Sequence, residues 1–167
     1  GGDLAVKGSM SLGKDSNSKA QVNISNTATI KVAKDLTIGE SGDAEINCSG
    51  GNLNVAGKIS LTGKKTSVIK MTGGVISANE IDLNDKESFK FEGGSLSTKQ
   101  INGSFESNGG TLDVGPNADN FSGSGFQSRL RSQQTAQEKL KNITKIVGDF
   151  VQKEGITKIS NLSLKIY

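Results

Sequence analysis

Up to about residue 115, apolar residues fall in short alternating runs rather than helical stripes. Leu4 and Val6 are followed by Met10 and Leu12, then by Val22 and Ile24. The same grouping returns as Ile30/Val32, Leu36/Ile38 and Ile46/Cys48, and again as Leu53/Val55, Ile59/Leu61 and Ile69/Met71. It returns once more as Ile76/Ala78, Ile81/Leu83 and Phe89/Phe91. Alternation at period two predicts strands with one face inward and the other outward.

Glycine pairs punctuate these runs in register. Cys48-Ser49-Gly50-Gly51-Asn52-Leu53 returns as Met71-Thr72-Gly73-Gly74-Val75-Ile76 and as Phe91-Glu92-Gly93-Gly94-Ser95-Leu96. A looser copy runs from Phe105 through Gly109-Gly110 to Leu112, and Ser25-Asn26-Thr27 stands where the first pair would be. The pairs are 23, 20 and 16 residues apart. Three strands per repeat, joined at corners where glycine allows positive φ, predict a triangular coil. Stacked in parallel, such coils satisfy one another's backbone groups and bury an interior that none could bury alone.

The expected fold is therefore all-β: a right-handed parallel β-solenoid of about five triangular coils over 1–115. One interior column would read Leu4, Ile30, Leu53, Ile76, Leu96 and Leu112. An antiparallel sandwich would share the alternation and the turn residues, but not the recurrence of three strands and a glycine pair in register. The shortening repeat predicts either a taper or the loss of a strand near Asn102-Gly103.

The period then changes. Residues 116–127 read as a linker around the single proline. Over 128–155, Ala136, Leu140, Ile143, Val147 and Phe150 are spaced 4, 3, 4 and 3, the stripe of an amphipathic α-helix. Thr135 with Glu138 fits a capping box, and Gly155 a stop. Arg129, Arg131, Lys139, Lys141, Lys145 and Lys153 lie off the stripe. Three uses are open for this helix: a cap on the solenoid, an interface with a second copy, or a membrane-surface helix. Leu162, Leu164 and Ile166 predict a terminal strand within 156–167. The stripe and this strand are the candidate interface residues. The first coil, with no cap before it, is expected to meet another subunit or an upstream domain.

Composition agrees with a thin, shared core. Of 167 residues, 22 are Gly and 1 is Pro, aromatics are 4% and hydrophobic residues 32%. The net charge of +3, with lysines interspersed among acids, reads as a solvated surface rather than a nucleic-acid footprint. Cys48 is the single cysteine, at an apolar position, so an internal disulfide is excluded and core filling expected. No run is apolar enough for a transmembrane helix. The chain opens on Gly1-Gly2-Asp3 directly into a strand, so a mature form, a processed fragment or a trimmed chain is expected rather than a precursor.

Candidate chemistry is sparse. With no histidine, Ser-His and Cys-His nucleophiles and His/Cys zinc sites are excluded. Phosphate-loop, dinucleotide and glycine-rich calcium-repeat motifs are missing. The acids Asp82, Asp85, Glu87, Asp113 and Asp119 are candidates for polysaccharide chemistry, but Lys86 sits among the first three, which read as a solvated turn. Neither a catalytic residue nor a cofactor or metal site is expected. Sequons at Asn23, Asn47, Asn102, Asn120, Asn142 and Asn161 are candidate glycosylation sites.

Gly50-Gly51-Asn52-Leu53-Asn54-Val55 and Gly109-Gly110-Thr111-Leu112-Asp113-Val114-Gly115 resemble repeats of β-helical bacterial surface proteins, such as autotransporter passenger domains and large adhesins. The resemblance covers 1–115 and implies secretion, surface exposure, and adhesion or scaffolding. It carries no residue roles, and the helix expected after it is not part of that pattern. The expected protein is a non-catalytic extracellular or cell-surface component. It would be a self-assembling filament, sheath or surface-layer subunit, a homo-oligomer or polymer through solenoid ends and tail. The alternative is an adhesin or carbohydrate-binding module with a glycan or host-surface ligand.

Overall fold

A computed structural model describes residues 2–61, 63, 66–85, 87–115, 145–147 and 150–159. Its strands are β1 (Asp3–Val6), β2 (Met10–Leu12), β3 (Lys19–Ile24), β4 (Thr29–Val32), β5 (Leu36–Ile38) and β6 (Asp43–Leu61). β7 (Val68–Leu83), β8 (Phe89–Phe91), β9 (Ser95–Asn102), β10 (Phe105–Val114), β11 (Lys145–Val147) and β12 (Phe150–Ile159) follow. Each pairing among them is parallel, which rejects the antiparallel sandwich. The molecule is a stacked parallel β-solenoid, and its long strands bend around corners from one face to the next.

The first face stacks β1, β4, 52–55, 75–78, 95–98, 111–114 and 156–159 in turn. The second stacks β2, β5, 59–61, 80–83, 100–102 and β11. The third stacks β3, 43–48, 68–71, β8, 105–107 and 150–152. The expected column holds throughout: Leu4 lies opposite Ile30, Ile30 opposite Leu53, Leu53 opposite Ile76, Ile76 opposite Leu96, and Leu96 opposite Leu112. Lining the interior are Ile24, Ile46, Cys48, Ile69 and Met71, with Phe89, Phe91 and Phe105 filling it further along. The Phe89 and Phe91 rings stack at 6.0 Å, and Phe89 meets Phe105 tilted at 5.7 Å.

About four turns form the body of the stack rather than five. The first turn is an edge, covered on one side only among the described strands, and its Val6, Met10, Leu12, Ala20 and Val22 stay partly exposed while Ile24 is buried. No strand is lost near Asn102-Gly103; the repeat shortens in the strands of the third face, from six residues in β3 to three in β8, and in the connections. Between the second and third faces the connection spans 13–18 in the first turn and only 103–104 in the last complete one. The corner between the third and first faces is the glycine corner. Gly51 has φ +67°, and a Cβ there would stand 2.3 Å from the carbonyl oxygen of Ala28 in the turn below. Close stacking and left-handed backbone together demand glycine. Asn26, the one non-glycine residue with positive φ among those described, turns the first corner at φ +55°.

The helix expected over 128–155 is corrected where the chain is described. Lys145–Val147 and Phe150–Ile159 are strands that add a further rung. Val147 lies opposite Asn102 and Phe150 opposite Phe105, so these two members of the supposed stripe belong to a sheet. Gly155, read as a helix stop, is another glycine corner with φ +99°, seated over Gly109 and Gly110. The physical cause is the open edge of β9 and β10. Its unpaired backbone groups capture a segment rich in β-branched residues, and this outweighs a helical spacing of a few positions. The linker 116–127, Ala136, Leu140, Ile143, Leu162, Leu164, Ile166, Asn120, Asn142 and Asn161 lie outside the described residues. No described helix is long and apolar enough to cross a membrane.

Candidate functional site

Outward positions on the second face form a connected polar ladder. Register places Lys58 opposite Glu80 and Glu80 opposite Gln100, and, two positions along, Asp82 opposite Asn102. Lys58 Nζ lies 2.7 Å from Asp82 Oδ2 and 3.3 Å from Glu80 Oε1. Asn102 Nδ2 donates to Glu80 Oε1 at 2.7 Å and to Asp82 Oδ1 at 2.5 Å, while its oxygen accepts from Gln100 Nε2 at 2.8 Å. Burial pushes the Asp82 carboxyl up, but hydrogen bonds from Lys58 and Asn102 outweigh it and hold the group below its ordinary range. The bond to Asp82 raises Lys58, with Glu80 adding to it against some desolvation. Both carboxylates are thus engaged by one cation and one amide.

Asp82, Asp85 and Glu87, close in sequence, are separated by the fold. Asp82 belongs to this ladder. Asp85 shapes the next corner, accepting from the Glu87 amide at 3.0 Å through its side chain and from Ser88 Oγ at 2.7 Å through its carbonyl. The partners of Asp82 come from neighbouring turns about twenty residues away, so sequence reading missed Lys58, Glu80 and Gln100. Their alternation with apolar residues marked them as outward, but only the register brings them together.

The third face carries Asn23, Asn47, Lys70 and Lys90 in consecutive rungs. Asn47 Nδ2 donates to Asn23 Oδ1 at 3.0 Å, and Lys70 Nζ reaches Glu45 Oε1 at 2.8 Å. The Lys70 bond, aided by Asn47, lowers the Glu45 carboxyl. A shallow groove of about 290 Å³ opens here, lined by Asn47, Lys70, Thr72, Lys90 and Glu92 among others. Of the candidate sequons, Asn23 is exposed, while Asn47 and Asn102 are half-buried with their amide nitrogens bonded as above. Cys48 is buried, and desolvation raises its thiol despite a bond to the Gly50 carbonyl, which fits core filling.

Both ends of the described stack present strand edges. In the last rung β11 pairs only with β9 and β12 only with β10, and Ile156 is 59% exposed. The first turn presents the other edge. β1 pairs only with β4, β2 only with β5, and β3 only with β6, so each leaves a strand edge unpaired among the described strands. Leu4 is 47% exposed, whereas Leu53 in the same column is 1% exposed. Val6, Met10, Leu12, Ala20 and Val22 are only partly buried. An open triangular end with an apolar interior is a ready template for further β-pairing.

Fold and surface together define a class of protein, an all-β parallel stacked β-solenoid whose described outward positions are mostly polar. No family model, curated protein or solved structure matches this chain.

Proposed function

We propose that this chain is a non-catalytic structural protein of the cell exterior, a rigid rod that assembles through its open first turn. The exposed, unpaired edge of that turn carries the reading. Unsatisfied backbone groups around an apolar centre favour association with another β-surface. Several features agree with a role without catalysis. The chain has no histidine. Among the described residues, Glu80 and Asp82 are bonded to Lys58 and Asn102 rather than facing an open cleft. The resemblance of the repeats to those of bacterial surface proteins supports the extracellular setting.

Sedimentation velocity over a hundredfold concentration range, with electron microscopy of the concentrated protein, tests the assembly. Growth in mass with concentration is expected, and Leu4→Lys should abolish it while leaving the far-ultraviolet spectrum unchanged. A protein that sediments as a monomer throughout would reject the proposal.

The groove on the third face favours a second reading, an adhesin or carbohydrate-binding module. Its lysines and asparagines suit a polar or acidic glycan. Counting against it, Phe89, Phe91 and Phe105, the aromatics whose side chains are described, are all buried and cannot stack a sugar ring. A glycan array with Lys70→Ala/Lys90→Ala as control separates the two: glycan binding lost in the variant selects the second.

A further inference from the structure

The geometry points to a specific partner for the open turn: a second copy of this chain, met head to head in an antiparallel, two-fold arrangement centred on Ala5. This rests on the reading of the first turn as an assembly surface and adds the orientation of the contact. β1 with its flanking lysine reads Asp3-Leu4-Ala5-Val6-Lys7. Leu4 continues the interior column, which makes Asp3 and Ala5 outward, and the exposed Lys7 follows at the bend that ends the strand. Laid antiparallel on itself about Ala5, the strand matches its own pattern. Asp3 falls opposite Lys7 of the second copy and Lys7 opposite its Asp3. Leu4 meets Val6, and Ala5 meets Ala5. Opposite charges therefore pair on the outward side at both ends, while apolar residues pair on the inward side. Like charges would face each other in no rung of this strand.

The remaining faces agree with the same two-fold axis. Turning one triangular end over onto another brings β2 of one copy against β3 of the other. Met10 and Leu12 then close over Ala20 and Val22, all of them only partly buried in the single chain. A two-fold contact of this kind is self-limiting and gives a closed pair through that end rather than an open fibre.

Ala5→Cys is the direct test. Directly opposed antiparallel residues place their Cα atoms about 4.5–5.5 Å apart, within disulfide range. Mild oxidation of the variant should yield a covalent dimer in high yield. The parent chain, whose Cys48 is buried, should yield none. In parallel, Asp3→Lys and Lys7→Asp should each weaken self-association roughly tenfold, and the double exchange should restore it. Restoration is the decisive readout, because a merely structural effect of either substitution would add in the double variant. Self-association without crosslinking at residue 5 and without restoration would overturn the head-to-head geometry while leaving the assembly surface standing. A chain that stays monomeric in all forms would remove both.

Discussion

Gly51 and Asn26 turn successive corners of the solenoid under the same backbone demand and different spatial ones. Gly51→Ala places a methyl group against the Ala28 carbonyl in a left-handed conformation, and is expected to destabilise by at least about 2 kcal/mol. Asn26→Gly should fall within about 0.5 kcal/mol of the parent, since asparagine already tolerates that region. Urea unfolding of both variants makes the comparison. Asp82 offers a second residue-scale prediction. Its carboxyl is held below the ordinary range in the folded chain, so its contribution is present above the unfolded value and is lost as pH falls through the folded one. With Lys58 partly exposed and screened, that contribution is about 0.5–1 kcal/mol. The stability difference between the parent and Asp82→Asn should shrink as urea titrations move from pH 7 towards pH 3. A constant difference would show that the ion pair does not supply it.

A strand's contribution in this molecule depends on its place in the stack. Leu53 and Leu4 belong to one column, yet Leu53 is sandwiched between turns and Leu4 is half out of the fold. Leu53→Ala should cost about 2–5 kcal/mol in chemical denaturation, and Leu4→Ala less than about 0.5 kcal/mol. Equal costs would mean that the first turn is covered in solution. The strands through Val114 were legible in the sequence, because alternation at period two and the glycine pairs are local signals. β11 and β12 were not. Val147 and Phe150 sit three apart, as on a helix, and Gly155 imitates a stop. Their strand character comes from Gln100, Ile101 and Phe105 in the preceding turn, which present a template to a segment forty-five residues later. The Lys153–Glu106 contact at 3.0 Å is a product of that pairing.

Because each turn touches only its neighbours, the whole molecule has graded rather than uniform stability. Amide hydrogen exchange is expected to be slowest in β6 and β7, which are paired on both sides, and fastest in β1 and β2 at the open edge. Strong protection of β1 in dilute solution would mean that its edge is already paired, and raising protein concentration should produce that protection if the ends associate. The sequence by itself determined the alternating strands of the first 115 residues, the interior column from Leu4 to Leu112, the glycine corners and the burial of Cys48. These follow from the backbone's two-residue period and from the conformational freedom of glycine, both properties of short segments. Only the tertiary structure decided that Lys145–Val147 and Phe150–Ile159 join the sheet, that the repeat shortens without losing a strand, and that Lys58, Glu80, Asp82 and Asn102 form one network. Each of those depends on which residue lies above which, and that register is fixed by turns stacking across some twenty residues of intervening chain.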